Sequence, residues 1–194
     1  MVRVLPRLAY WVLVLWVLGY TVILGLSLVL QFALHELPCP LCMLQRYAMI
    51  LGTLGALWII REAHFGTLTF DTYMQGLGLG ALGAISGVVF AGRQVMLHIL
   101  PGDPGYGSPV LGLHLYSWAF VTFCVAIVFS AILSIAAPAG LPEAPKGKGI
   151  AARLPHVVGL AFLATVAVNA VMIVLLEGFA WVLPDNPVSY GLFG

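Results

Sequence analysis

Two cysteines three residues apart, Cys39 and Cys42, are the side chains in this sequence best suited to chemistry. Pro40 lies between them and fits the first turn of a helix, where a missing backbone N–H costs little. Side chains three apart on a helix are neighbours, so a disulfide can close between the two sulfurs. The helix N-terminus also stabilises a thiolate, which is the nucleophile in disulfide exchange. The spacing therefore predicts a reversible redox pair.

Two other interpretations of the pair stay open: a structural disulfide that never turns over, and half of a zinc site. Zinc requires two further ligands. His35 could supply one, but the sequence offers no evident second one, so we predict no metal. A third cysteine, Cys124, lies deep in a long apolar segment, where an unpaired thiol usually acts as small apolar filler.

Arg46 follows Cys42 by four residues, so both side chains share one helix face about one turn apart. A charged side chain inside a membrane segment is costly, and this cost favours a functional role. The guanidinium could stabilise the Cys42 thiolate or donate to a quinone oxygen, and the neighbouring Gln45 could orient it or a ligand. The alternative is that Arg46 reaches outward to the lipid headgroups.

Further polar side chains are expected near the outer ends of later helices. Arg93 and His98 fall late in the third apolar segment, and His114 begins the fourth. Together with Arg46 they could form a polar cluster beside the cysteines, although an interfacial position touching water also explains His114. Two polar residues of the fifth segment have no evident partner: Asn169 and Glu177.

Membrane helices must position these residues, because the chain is too apolar to cover a water-facing surface. Of its 194 residues, 62% are hydrophobic and 8% are charged, and its mean hydropathy is +1.08. Soluble domains have about 25% charged residues. The long apolar runs lack the alternation of barrel strands. We predict one all-α domain, a bundle of five transmembrane helices over residues 8–32, 42–60, 73–100, 113–136 and 157–183.

Basic residues predict the orientation of this bundle. Six of the eight Lys and Arg residues fall on one side, which the positive-inside rule assigns to the cytoplasm: Arg3, Arg7, Arg61, Lys146, Lys148 and Arg153. The N-terminus is then cytoplasmic and the C-terminus lies outside, as do the Cys39–Cys42 pair and the loop 101–112. The net charge of +1 indicates no basic surface for nucleic acid.

Residues 38–46, PCPLCMLQR, resemble the signature of the DsbB-type disulfide bond formation proteins, a C-x-L-C followed by Gln or Glu and Arg. The context is also similar over residues 8–136, with one helix before the pair and an outward-facing second loop. The family is a four-helix bundle of the bacterial inner membrane. Its members oxidise a periplasmic thioredoxin-like partner and pass the electrons to a bound quinone.

The resemblance implies that Cys39 and Cys42 form the quinone-coupled pair, with Cys42 nearer to the quinone. Arg46 matches the family arginine at the quinone, and His98 resembles a histidine at the outer end of the third helix. We predict a thiol:quinone oxidoreductase that uses ubiquinone or menaquinone and takes electrons from a periplasmic thioredoxin-like protein or a small dithiol. The expected cofactor-binding residues are Arg46, Arg93, His98 and Gln45.

Two features depart from the family pattern. The loop 101–112 is short and lacks the second cysteine pair that usually takes electrons from the soluble partner, and a fifth helix follows the first four. Two rival functions therefore stay open. One is a membrane scaffold or assembly factor that has lost turnover. The other is a binder or transporter of a quinone or lipid-like ligand, with a static disulfide.

Overall fold

Five helices make up most of the chain in a computed structural model, which describes residues 4–147, 149–180, 183–185 and 187–192. They are α1 (Val4–Ala33), α2 (Pro40–Phe65), α3 (Phe70–Leu97), α4 (Leu115–Ala136) and α5 (Ile150–Glu177), with 3₁₀ turns at Ala137–Ala139 and Gly178–Ala180. Each helix is long and apolar enough to cross a membrane, and the described residues contain no β-strand beyond one isolated bridge. The predicted all-α class, a multi-pass membrane bundle, is confirmed.

The second helix is longer than the predicted range 42–60: α2 begins at Pro40 and ends at Phe65. The helix continues through Arg61 and Glu62 to Phe65, because both charged residues are good helix formers and solvate readily at a bundle end. It stops at Gly66, whose φ of 73° is left-handed and whose N–H bonds back to the carbonyl of Ala63. The extra turn places the end of α2 beside the start of α5.

Glycines bring α2 and α3 into the closest contact in the bundle. Gly52 and Gly55 on α2 face Gly76, Gly80 and Gly83 on α3, and a Cβ added to Gly83 would come within 2.5 Å of the backbone N of Gly52. Small residues allow this approach in membranes, where packing replaces the hydrophobic drive between helices. The close contact fixes α3 against α2, the helix that carries the cysteines.

All five helices contribute to the core, and α5 packs against α1 and α2 with Val158 and Phe162 buried. Tyr10, Val17 and Leu24 on α1 are fully buried, and Trp16 packs its ring 5.5 Å from that of Phe129 on α4. Large apolar side chains cover much of the outer surface of the helices. This surface is suited to lipid, since contact between apolar side chains and lipid tails has no solvation cost.

Four of the six basic residues that were predicted to be cytoplasmic lie at one end of the bundle, three of them on helices and Lys146 in the loop before α5. The N–H of Glu143 donates to the carbonyl of Pro6, and the rings of His64 and His156 lie 4.3 Å apart between α2 and α5. The basic residues at this end are Arg7, Arg61, Lys146 and Arg153. Arg3 and Lys148, the other two of that group, lie outside the described residues.

Candidate redox site

Cys39 and Cys42 sit at the start of α2. Cys39 is the N-cap, with φ −71° and ψ 166°, and its Sγ accepts the backbone N–H of Cys42 at 3.3 Å. Pro40 at the first helical position has no N–H to satisfy. The two Sγ atoms lie 2.6 Å apart as free thiols. A disulfide bond is about 2.05 Å long, so a small side-chain movement closes or opens it without moving the helix.

Gln94 on α3 faces both sulfurs. Its Nε2 lies 3.4 Å from the Sγ of Cys39 and 3.5 Å from that of Cys42, while its Oε1 accepts a hydrogen bond from Gln45 at 2.7 Å. Both glutamines are buried. An amide N–H stabilises a sulfur that carries negative charge more than a neutral one. Gln94 is not among the site residues predicted from the sequence, although a polar residue one turn before His98 in a membrane helix indicates a functional position.

Arg46 points into the bundle, and only 7% of it is exposed. Its Nη1 donates to the Oε1 of Gln31 at 3.0 Å and to the Oδ1 of Asn169 at 3.4 Å, and its Nη2 donates to the carbonyl of Ser27 at 3.4 Å. The alternative that Arg46 reaches the lipid headgroups requires the guanidinium to point out of the bundle, and these contacts hold it inside. They also give Asn169 a partner that the sequence could not assign.

A largely apolar cavity of about 310 Å³ opens beside Cys42, and we call it the apolar cavity. Its polar lining includes Cys42, Gln45 and Arg46 on one face of α2, where the side chains at positions 42 and 46 follow one another along the helix. Its apolar walls come from α1, α2 and α4 and include Ile23, Leu26, Leu30, Met49, Trp118 and Ala119. A few polar groups in an otherwise apolar cavity are typical of a ligand site.

A second cavity, of about 1000 Å³, opens beside Cys39, and we call it the outer cavity. Arg93 and His98 of α3 line it together with Gln94, and Asp185 contributes from the segment after α5. Arg93 is exposed, whereas its neighbour Gln94 is buried. Successive side chains on an α-helix are about 100° apart around the axis, so Arg93 and Gln94 point to different surroundings. Cys39 itself is buried, at 6% exposed, and it meets this cavity through a lining of both polar and apolar side chains.

The loop 101–112 forms the wall between the two cavities. Tyr106 lines both of them, and its hydroxyl donates to the carbonyl of Leu37, two residues before Cys39. Burial raises the pKa of the Tyr106 hydroxyl well above its usual value, so it remains a donor at neutral pH. The carboxylate of Glu36 accepts two bonds from Ser108, one from the hydroxyl and one from the backbone N–H at 3.3 Å. The loop is thus fastened to the chain segment that precedes the cysteines.

Asp103 holds the outer part of the same loop. Its Oδ1 accepts the backbone N–H of Gly105 at 2.7 Å and lies 3.0 Å from the Nδ1 of His98. The Gly105 N–H, helped by His98, lowers the pKa of this carboxyl below its ordinary value of 3.8. His98 therefore ties the end of α3 to the loop at the rim of the outer cavity.

The residues expected at the site thus fall on two sides of the cysteine pair. Gln45 and Arg46 lie with Cys42 at the apolar cavity, whereas Arg93 and His98 lie with Cys39 at the outer cavity. They flank the pair and do not form a single cluster. His114 caps α4 and stacks its ring on Tyr116, with its Nδ1 3.0 Å from the carbonyl of Gly107.

Cys124 lies half-buried on α4 as a free thiol. His35 lines the outer cavity with Cys39. Among the residues that the structure describes, no group of three or more His, Cys, Asp or Glu side chains is placed to hold a metal ion.

The family model of the disulfide bond formation protein DsbB matches residues 9–108, which include α1, α2, α3 and both cysteines. Disulfide bond formation protein B 1 of Pseudomonas syringae pv. syringae (strain B728a) is 30% identical over 136 residues, which cover 55% of this chain and 78% of that protein. Its counterpart in Pseudomonas putida (strain KT2440) is 31% identical with the same coverage.

A third relative, disulfide bond formation protein B of Cupriavidus metallidurans (strain CH34), is 36% identical over 78 residues, which are 40% of this chain and 44% of that protein. No solved structure matches the chain. The family match spans more than half of the chain and contains the cysteine pair, Gln94 and Arg46. The chain therefore belongs to the DsbB family of disulfide bond formation proteins.

Proposed function

We propose that this protein is a membrane thiol oxidoreductase that forms disulfides in a periplasmic dithiol and passes the electrons to a quinone. The observation that carries this proposal is the position of the cysteine pair between two cavities of different character. Cys39 lines the large outer cavity and Cys42 lines the apolar cavity. A pair in this position can take electrons from the aqueous side and release them on the lipid side.

The apolar cavity fits the head of a quinone. Its volume of about 310 Å³ lies in the range of small-molecule sites, and its walls match an apolar ring and the start of an isoprenoid tail. Arg46 and Gln45 would donate to a ring oxygen, which both ubiquinone and menaquinone present. When bound, the quinone supplies an acceptor for two electrons and two protons and leaves as quinol.

The thiol chemistry follows the order of the two cavities. A thiolate of the donor attacks the Sγ of Cys39, forms a mixed disulfide and releases Cys42 as a thiolate. The second donor thiol then attacks the donor sulfur of that mixed disulfide. The donor leaves as a disulfide, Cys39 leaves as a thiolate, and the pair has gained two electrons. Gln94 can donate to either sulfur through this exchange, since its Nε2 lies within 3.5 Å of both.

The donor must reach this pair directly, because the sequence has only one cysteine outside it, Cys124 on α4. A thioredoxin-like protein with an exposed Cys-x-x-Cys, or a small dithiol, meets that requirement. The gathering of basic residues at the opposite end of the bundle supports an N-terminus in the cytoplasm. The site would then face the periplasm of a bacterial inner membrane.

The test is a mixed-disulfide trap combined with turnover. Cys42→Ser removes the resolving thiol and should accumulate a Cys39-linked adduct with the donor from a periplasmic extract, whereas Cys39→Ser should give none. The purified wild-type protein should reduce a soluble quinone with a dithiol as electron source. An adduct formed only through Cys42 would reverse the assigned order. Absence of both adduct and quinone reduction would favour the scaffold or ligand-binding function.

A further inference from the structure

The fifth helix contributes a buried polar side chain to the surroundings of Arg46. Asn169 lies in the middle of α5, is 1% exposed, and accepts the Nη1 of Arg46 on its Oδ1 at 3.4 Å. Its Nδ2 donates to the carbonyl of Thr165 one turn earlier, at 2.9 Å, which fixes the direction of the amide. A buried asparagine in a membrane helix is costly unless it is bonded, and here its acceptor is directed at the guanidinium.

The bonds to Arg46 leave part of the guanidinium free for a ligand. Asn169 and Gln31 take the two N–H groups of Nη1, and the carbonyl of Ser27 takes one from Nη2. A guanidinium has five N–H groups, so these three bonds leave two that can donate into the apolar cavity. Two helices, α1 and α5, thus hold the guanidinium through three of its N–H groups, and Arg46 also lines the apolar cavity.

We infer that Asn169 is a positioning residue that orients the Arg46 guanidinium towards the apolar cavity, which makes α5 part of the redox site. This inference rests on the proposed function. Arginine is a long, flexible side chain, and a planar group donates well only when its plane is fixed. The helix that supplies this anchor lies outside residues 9–108, the part of the chain that the family model matches. The fifth helix is therefore more than an added scaffold.

The experiment compares a variant that removes the acceptor, Asn169→Leu, with a control on the same helix, Val171→Ala. Leucine has a branched side chain of similar length but accepts no hydrogen bond. We expect Asn169→Leu to raise the KM for a soluble quinone about tenfold, equivalent to about 1.4 kcal/mol, with a smaller change in kcat. Val171→Ala, which alters an exposed position on the same helix, should stay within about twofold of wild type. If Asn169→Leu does not fold, Asn169→Ala takes its place.

A double variant separates positioning from general packing. If Asn169 acts through Arg46, then Asn169→Leu adds nothing to the KM of Arg46→Ala, whereas independent packing damage multiplies the two effects. The positioning role alone would be overturned if the KM increases of the two single variants multiply in the double variant. It would also be overturned if Asn169→Leu has the KM of wild type while Arg46→Ala raises the KM. Wild-type protein that neither binds nor reduces quinone would instead overturn the proposed function, and with it the role of Asn169.

Discussion

Replacing Gln94 with leucine is expected to make the cysteine pair harder to reduce. Leucine has a similar volume but cannot donate, so the substitution removes both contacts of the Gln94 Nε2 to the sulfurs, at 3.4 Å to Cys39 and 3.5 Å to Cys42. Both contacts are sheltered from water, because Gln94 is 1% exposed. The Gln94 amide stabilises the neutral disulfide only slightly, so its removal costs the oxidised state little. The reduced pair loses a hydrogen bond to its thiolate, which is the stronger interaction.

The size of the effect follows from the difference between two kinds of hydrogen bond. A bond to a charged group contributes about 1.5–3 kcal/mol and a bond to a neutral group about 0.5–1.5 kcal/mol, so the reduced state should lose roughly 1–1.5 kcal/mol more than the oxidised state. For a two-electron couple, 1.4 kcal/mol corresponds to about 30 mV. We therefore expect the midpoint potential of Gln94→Leu to lie about 20–30 mV below that of wild type.

The assay is a titration of purified protein in defined thiol–disulfide buffers, with free thiols labelled by a reagent that shifts mobility on a gel. Gln45→Leu is the matched control, since Gln45 bonds to the Oε1 of Gln94 and not to a sulfur in this site. That control should shift the potential by less than half as much. A shift of Gln94→Leu below about 10 mV, or towards higher potential, would refute a thiolate-stabilising role for the amide.

Three further predictions concern topology, the third cysteine and the outer loop. A reporter that is active only in the periplasm, fused after the last residue, should give a signal; a signal from a cytoplasm-active reporter alone would mean that α5 does not span. Cys124→Ala should preserve thiol oxidation and cost less than about 1 kcal/mol of unfolding free energy in a thermal melt, because the thiol is half-buried on α4; lost turnover in folded protein would reveal a redox role. Since the pKa of Asp103 is lowered below 3.8, its contribution to the loop is present above that pH and is lost as pH falls through the lowered pKa. Asp103→Asn should therefore speed labelling of Cys39 by a dithiodipyridine at pH 5, and the ratio to wild type should fall towards one in stronger acid; a ratio that does not depend on pH would contradict this.

The sequence by itself indicated which residues could carry redox chemistry and that the helices lie in lipid. The Cys39–Cys42 spacing with Pro40 between them predicts a helix start, and the structure places Cys39 as the N-cap of α2. Arg46 follows on the same face, because positions four apart are neighbours on any α-helix. The low charge and the long apolar runs without alternation predict a helix bundle in lipid, because helices satisfy their own backbone hydrogen bonds there. All of these inferences depend only on local geometry or on composition.

Only the tertiary structure decided which side chains meet the pair from other helices. Gln94 faces the sulfurs while Arg93 lies exposed beside it, and this choice depends on how α3 is rotated against α2. That rotation is set by the glycine contact between the two helices. Asn169 reaches Arg46 from a position 123 residues away because α5 packs against α1 and α2. In lipid, apolar residues cover every face of a helix, so hydrophobic periodicity carries little information about rotation and partner, and packing decides both.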